Sequence, residues 1–592
     1  MADDFVVDGK NAGAPFTLRA YRGDGMLLLA MDWRTGRPPD DFVGFGIEYR
    51  EPDDDRWLNV QNRVTFTGVK RSPSMDAPIQ KFRWVHFPHR AHLPGRFTYR
   101  VTPRFMDVSG KLRSGKAQTV RLALARETHA GKLNVAFTRG FIASQAFVDR
   151  FVKVKGSDPV PASLPSLLPT NADRGLSFQP THPRAEEAYA WMGFEARREI
   201  LGLLDEAIAD PSATVKVVAY DLNEREIVER LEQLGPRLHI VIDDSVEVDR
   251  KTKLPTGHGA KGSAENAAER RLRASAGKDH VKRQHLGGLQ HNKTIVVDGA
   301  TKRVLCGSTN FSWRGLYVQN NNVVVLTGQT AVDRFTDAFD RYWATDSPAE
   351  FAKAPPAVWA SLGLDGIDAQ VTFSPHTTRS TAAHPANAVL EDIGADMRTA
   401  QSSVLYSLAF IGGRTTGAVR EAVEDLTEDP KVFVYGMSDN AIGGIKVEIE
   451  GNPLPVTPAA LEKNVPKPFS AEPTGGGGIR MHHKFVVIDF DRPGARVYLG
   501  SFNFSKPADT ANGEHLLVVR DRRVATAYMI EAVRIFDHYQ FRNRLEDQKE
   551  AAEPLALRRP PVPEPGKPLA EPWFDEYFRP GTKQRDRLLF AG

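Results

Sequence analysis

Two stretches of the chain carry a histidine, a lysine and an aspartate at the same intervals. They are His291, Lys293 and Asp298, and about 190 residues later His482, Lys484 and Asp489. In each, four mostly apolar residues separate the lysine from the aspartate. Each is followed by a Gly-Ser-x-Asn-Phe-Ser segment, Gly307 to Ser312 and Gly500 to Ser505. On an extended strand residues i and i+2 share a face, so the histidine and lysine of each copy point the same way. The Gly-Ser step lets backbone approach a ligand closely, and it brings Asn310 and Ser312, or Asn503 and Ser505. One copy then offers an imidazole, an ammonium, an amide and hydroxyls. That set suits a phosphate: donors for its oxygens, and a group able to attack or protonate it. Clustered histidine also serves zinc. Here no carboxylate or cysteine stands at ligand spacing and the adjacent lysines repel a cation, so neither a metal nor another cofactor is expected in the chemistry.

The surrounding pattern must position these groups. From about residue 130, an amphipathic helical stretch ("THPRAEEAYAWMGFEARREILGLLDEAIAD") precedes "TVKVVAYDL", "NEREIVERLEQLG" and "RLHIVIDD", a β-α-β order. "SSVLYSLAFI", "GAVREAVEDLTED" and "KVFVYGMSD" repeat it. Each β-α-β is followed by a long polar segment, a histidine motif and a further helix, which reads as a tandem duplication with halves at 130–350 and 365–550. Residues 1–128 instead show short aromatic-rich strands separated by Gly, Pro and Asp. They predict an all-β sandwich of immunoglobulin or fibronectin type III character, with Trp33, Trp57 and Trp84 in its core or on strand faces and no ligand indicated. Residues 551–592 form a Pro-rich tail whose Trp573, Phe574, Tyr577 and Phe578 predict docking onto the body.

The segment 247–290 is basic, with Arg250, Lys251, Lys253, Lys261, Arg270, Arg271, Arg273, Lys278, Lys282 and Arg283; its counterpart, 439–480, ends in a glycine run at Thr474 to Gly478. The whole chain, 592 residues with a formal net charge of +4, is only mildly basic, which permits a phosphate-bearing partner without requiring one. A single cysteine, Cys306, rules out an internal disulfide framework. The N-terminus is acidic where a secretory signal is basic, and no apolar run approaches a membrane span. A soluble, cytoplasmic protein is expected.

"HNKTIVVD…GSTNFS" and "HHKFVVID…GSFNFS" resemble the two HKD motifs of the phospholipase D superfamily. The resemblance covers about 130–550 and not the N-terminal domain. It implies an α/β fold of two α-β-α halves packed about a pseudo-two-fold axis with both motifs in one site. It also implies metal-independent phosphodiester cleavage in which one histidine attacks phosphorus and the other protonates the leaving oxygen; water, or an alcohol in a transfer reaction, then resolves the phosphohistidine. On that analogy Lys293, Lys484, Asn310 and Asn503 hold the phosphate oxygens. Asp298 and Asp489 complete the motifs as braces, and Ser312 and Ser505 support from behind. Family members commonly place an acid after the Gly-Ser strand, bonded to the histidine. Glu514 fits in the second half, and Asn322 stands at the corresponding place in the first. A carboxylate partner favours imidazolium, so the expectation is His291 as nucleophile and His482 as general acid and then base. His483 is expected on the opposite face, as a structural residue.

Nucleases, phospholipases and phosphatidyl transferases share this chemistry. The short "GSxNFS" form and the basic segment lean the substrate to nucleic acid, with phospholipid as the alternative and a non-catalytic binding scaffold as the second alternative. Oligomeric state and any partner of the N-terminal domain are not legible.

Overall fold

The computed structural model describes residues 5–88, 90–125, 127–140, 147, 150–151, 164–249, 251–377, 387–409, 417–438, 481–550, 556–563, 565–566 and 568–592. The segment 439–480 thus lies outside the described residues.

The N-terminal region is antiparallel β. One sheet takes the strands Val6–Asp8, Phe16–Arg22, Leu27–Trp33 and Arg83–His86 in that order; a second is built on Phe42–Arg50 and Phe97–Met106. Alternating apolar residues from both sheets, among them Phe16, Leu29, Phe45, Ile47 and Val101, bury into one core. Trp33 and Trp84 pack against that core, while Trp57 lies between the guanidinium groups of Arg50 and Arg100, 4.3 and 4.0 Å from its ring.

Two seven-stranded mixed sheets follow, with six strands of each in the same order. In the first these are Leu133–Phe137, Asn322–Thr327, Lys302–Gly307, Lys293–Asp298, Thr214–Ala219 and Leu238–Ile242. In the second they are Asp368–Ser374, Glu514–Arg520, Arg496–Gly500, Lys484–Ile488, Ser403–Leu408 and Phe433–Ser438. Their central strands read as unbroken apolar runs because both faces are covered. Ile295 and Val297 bury under the helices Ala185–Ala209, Arg225–Leu234 and Ala264–Ala276. Val296 turns the other way, into a core shared with Phe485 and Val487 of the second sheet and with the helices Gln329–Ala344 and Arg522–Glu550. The two sheets are therefore joined through one apolar interior, with the motif strands at its centre.

The C-terminal residues close the assembly. Trp573 and Phe574 enter the N-terminal β core; Trp573 stacks on Phe82 and donates from Nε1 to the carbonyl of Phe42 at 3.0 Å. In the helix Thr582–Ala591, Asp586 accepts from the buried Arg83 guanidinium at 2.8 Å, and Arg83 also reaches Asp537 and the hydroxyl of Tyr435. One arginine thus ties the β domain, the second sheet and its long helix together. No described helix is long and apolar enough to cross a membrane. Trp573→Ala removes a large buried ring and a satisfied indole N–H, and should cost about 3 kcal/mol or more. Denaturant unfolding monitored on the full chain checks it, and an unchanged midpoint would refute the docking role.

Candidate active site

Both motif strands begin where their sheets meet. Gly307 and Gly500 sit at φ 139° and 148°, and a Cβ there would lie 2.5 Å from the carbonyl oxygen of Asn322 or 2.3 Å from that of His515. This close approach lets Ser308 N donate to Asn322 O, and Ser501 N to His515 O, each at 3.1 Å. The Gly-Ser strand is thereby pinned to the strand that carries the next functional residue.

The contacts between halves are reciprocal. Gln290 bridges Gly513, and Met481 bridges Asn320, both in parallel sense. Each motif histidine therefore meets a residue of the opposite half. His291 Nδ1 lies 2.8 Å from Glu514 Oε2. His482 Nδ1 lies 2.8 Å from Asn321 Oδ1 and 3.2 Å from the carbonyl of Ser308. The two imidazoles face one another with ring centroids 6.3 Å apart. An acceptor at Nδ1 fixes the neutral ring as the Nδ1–H tautomer and leaves Nε2 for chemistry.

Two expectations are corrected here. Glu514 partners His291, not the histidine of its own half. Asn322 partners neither motif histidine; its Nδ2 lies 3.3 Å from His483 Nδ1, and the residue matching Glu514 is Asn321. Neighbours on a strand face opposite sides, so a one-residue slip moves a side chain to the wrong layer. His483 points away from the site, to Glu531 at 2.9 Å.

Lys293 and Lys484 are buried at 1% and 0% exposure, so neither can be hydrated. Each donates to the carbonyl of its own motif histidine. Burial pushes Lys293 down to about 7, against the pull of Glu514, Asp221 and Asp243. Burial and the neighbouring Lys293 push Lys484 well below the usual lysine range. Burial lowers His291 to about 4 despite Glu514, and burial with both lysines and His291 lowers His482 well below an ordinary histidine. Burial thus disfavours the charged form of all four groups, and a neighbouring anion favours it.

Asn310 is buried, and its Nδ2 donates to Asp221 Oδ2 at 2.7 Å. The side-chain oxygens of Asn310 and Asn503 are buried without a hydrogen-bond partner. Ser312 donates to Asp221 at 3.2 Å and accepts from Gly315 N, capping the helix Trp313–Tyr317. Ser505 opens the helix Lys506–Thr510 without a side-chain cap bond. The motif aspartates, expected as braces that complete the catalytic motifs, lie at the far ends of their strands from the imidazoles. Asp489 accepts from the backbone amides of Gln401, Ser402 and Ser403; Asp298 is half-exposed and pairs with Lys302. Sequence reasoning missed Asn321, Tyr220 and Asp221. Tyr220 sets its ring edge 4.6 Å from His291 and lies 4.8 Å under Lys293 Nζ. The available signal was the dipeptide Tyr-Asp directly after the apolar run Val215–Ala219.

The family model for the cardiolipin synthase, phospholipase D-like domain matches residues 204–343 and 460–536, one segment in each half and each containing one motif. Each half of the chain is thus similar to the phospholipase D superfamily around its motif. It is 27% identical over 125 residues to a phospholipase D of Rickettsia bellii, covering 19% of this chain and 60% of that protein. It is 39% identical over 59 residues to the mitochondrial cardiolipin hydrolase of Xenopus tropicalis, covering 10% and 26%. Phosphatidylserine synthase of Haemophilus influenzae aligns over 56% of this chain and 82% of its own, at 14% identity and a TM-score of 0.36. The chain thus spans less than two thirds of the length of either curated relative.

A bound oxyanion should draw protons into the site. Lys293, lowered by burial to about 7, is mostly neutral at pH 8 and should become cationic beside an anion. Calorimetry of vanadate binding at pH 8 in buffers of different ionisation enthalpy should show net proton uptake. Uptake of zero would refute the charge assignment.

Proposed function

We propose that this protein is a metal-independent phosphodiesterase working through a covalent phosphohistidine. The observation that carries the reading is the pair of facing imidazoles, each held at Nδ1 from the opposite half, with a buried lysine beside each. The 6.3 Å between ring centroids suits an in-line displacement, which needs about 3 Å from nucleophile to phosphorus and about 3 Å from leaving oxygen to donor. We read the two halves as related by a pseudo-two-fold axis, which the reciprocal bridges support, and the N-terminal region as an immunoglobulin-like sandwich.

His291 is assigned as nucleophile, on different grounds from those the sequence offered. When Nε2 forms its bond to phosphorus, positive charge develops on the ring. The Glu514 carboxylate at Nδ1 stabilises that charge where it appears. His482 loses charge as it gives its proton to the departing oxygen, so a neutral amide at its Nδ1 is sufficient. In the second step His482 takes a proton from water, the new oxygen bonds to phosphorus, and the P–N electron pair returns to His291. The products are an alcohol and a phosphomonoester. Lys293, Lys484 and Asn310 carry the charge on the non-bridging oxygens.

Phospholipid is the better-supported substrate class. The nucleic acid reading leaned on the basic segment 247–290. Arg271 pairs with Glu232, Arg273 and Arg283 with Glu269, and Lys282 with Asp346, so these cations are committed within the fold. A hairpin in the same segment exposes Val246, Val248 and Leu254 beside Lys251 and Lys253, a mixed apolar and cationic rim. The names of both curated relatives also refer to lipid chemistry.

In EDTA, vesicles of phosphatidylcholine and cardiolipin should be hydrolysed and DNA and RNA left intact; the reverse result would restore the nucleic acid reading. With a phosphorus-labelled p-nitrophenyl diester, His482→Ala should accumulate acid-labile label on the protein. His291→Ala should bind none and lose about 10³-fold or more in kcat. Label retained in His291→Ala would exclude it as nucleophile.

A further inference from the structure

Outside the motifs, a third histidine is held by more charge than either catalytic one. The two parallel strands of the first half, Thr214–Ala219 and Leu238–Ile242, are each followed within two residues by an aspartate, Asp221 and Asp243. His258 lies between them: its Nε2 is 2.9 Å from Asp221 Oδ1 and its Nδ1 is 2.7 Å from Asp243 Oδ2. Both carboxylates also hold the site. Asp221 accepts from Asn310 and Ser312, and Asp243 Oδ1 accepts from the backbone N–H of Gln290, next to His291, at 2.6 Å.

We propose that Asp221, His258 and Asp243 form a charged clamp that positions Asn310 and the strand entry carrying His291, so that the oxyanion cradle of the first half depends on a histidine that the reaction does not consume. The inference rests on the phosphodiesterase reading.

A carboxylate only accepts, so Asp221 fixes which end of the Asn310 amide faces it and keeps a second N–H of Nδ2 for a phosphate oxygen. Two acceptors, one on each nitrogen of His258, require both nitrogens to be protonated. The groups facing the ring agree. Burial alone lowers His258, but Asp221, Asp243 and the nearby Glu265 raise it to about 10. Arg283 donates from Nη2 to the carbonyls of Asp243 and His258 while its Nη1 meets Asn266 and Glu269, which keeps the loop against the strand ends. Tyr220 fills the gap between His258 and His291, with ring centroids 4.5 and 4.6 Å from theirs. Asp221, His258 and Asp243 are positioning residues: none supplies an atom to the reaction.

Nitrogen-15 histidine NMR of the full chain should show both nitrogens of His258 protonated at pH 8; a neutral ring there would overturn the clamp. With bis(p-nitrophenyl) phosphate, His258→Gly should lose about 10- to 100-fold in kcat/KM, carried mainly by KM. Added imidazole should restore most of the loss, whereas His258→Gln should stay impaired. Unchanged KM in both variants, or a loss that imidazole leaves in place in a folded His258→Gly, would overturn it. Asp221→Asn, which conserves shape, serves should the glycine variant not fold, and should bind inorganic vanadate about tenfold more weakly. Vanadate affinity equal to wild type would overturn the clamp. Absence of any diester turnover by the wild type would instead count against the phosphodiesterase reading, and the vanadate and NMR results would still decide the clamp.

Discussion

Neither half of this protein holds its own histidine. The ring of His291 is set by Glu514 and the ring of His482 by Asn321, and the Gln290–Gly513 and Asn320–Met481 bridges bring those partners into range. A charge-assisted hydrogen bond of this kind contributes about 1.5–3 kcal/mol, and leaving one partner buried and unpaired costs as much or more. Correct tautomer and correct interface therefore form together. Having both halves in one chain keeps the opposing surface at high effective concentration throughout folding.

The site is expensive to bury. Lys293, Lys484, His291, His482 and Glu514 are all at 5% exposure or less, and an isolated ion in such surroundings costs several kcal/mol. The large shared core beneath them offsets this. Residues from both sheets and from two long helices meet in one apolar cluster, and the C-terminal residues fasten the β domain to the same body through Arg83, Trp573 and Phe590. Local polar strain in the cleft is tolerated because packing around it is continuous.

The elements that could be read from sequence are those whose physics is local. Apolar runs such as Ile295–Val297 and Phe485–Ile488 gave strands because both faces are covered. The helix Arg522–Glu550 and the aromatic strands of the first hundred residues were legible by periodicity. The losses came where a second element decides. The counterpart of Glu514 is Asn321 and not its neighbour Asn322, because the register that sets Gly307 against Val323 decides which of the two side chains faces the imidazoles. Glu514 was given to the nearer histidine in sequence, although the nearer one in space belongs to the other half. Asp298 and Asp489 share a motif position, yet one caps three backbone amides and the other meets a surface lysine. In the basic segment, Arg271 and Lys282 find Glu232 and Asp346 outside it, and Arg273 and Arg283 find Glu269 within it, pairings that only the folded chain decides.

A duplicated fold would by itself give two equivalent histidines and no direction to the reaction. A few residues break the equivalence. Glu514 places a full negative charge behind one ring where Asn321 places only a dipole behind the other, and at close range in a dry site that difference outweighs the shared backbone geometry. In the proposed mechanism that difference assigns covalent attack to the ring where charge accumulates and proton donation to the ring where charge departs. Glu514 and Asp221 pull both lysines toward the charged form against burial; Asp243 adds to that pull on Lys293, and the neighbouring Lys293 opposes it on Lys484. In the proposed mechanism the direction of the chemistry therefore follows from Glu514 standing behind one ring and Asn321 behind the other.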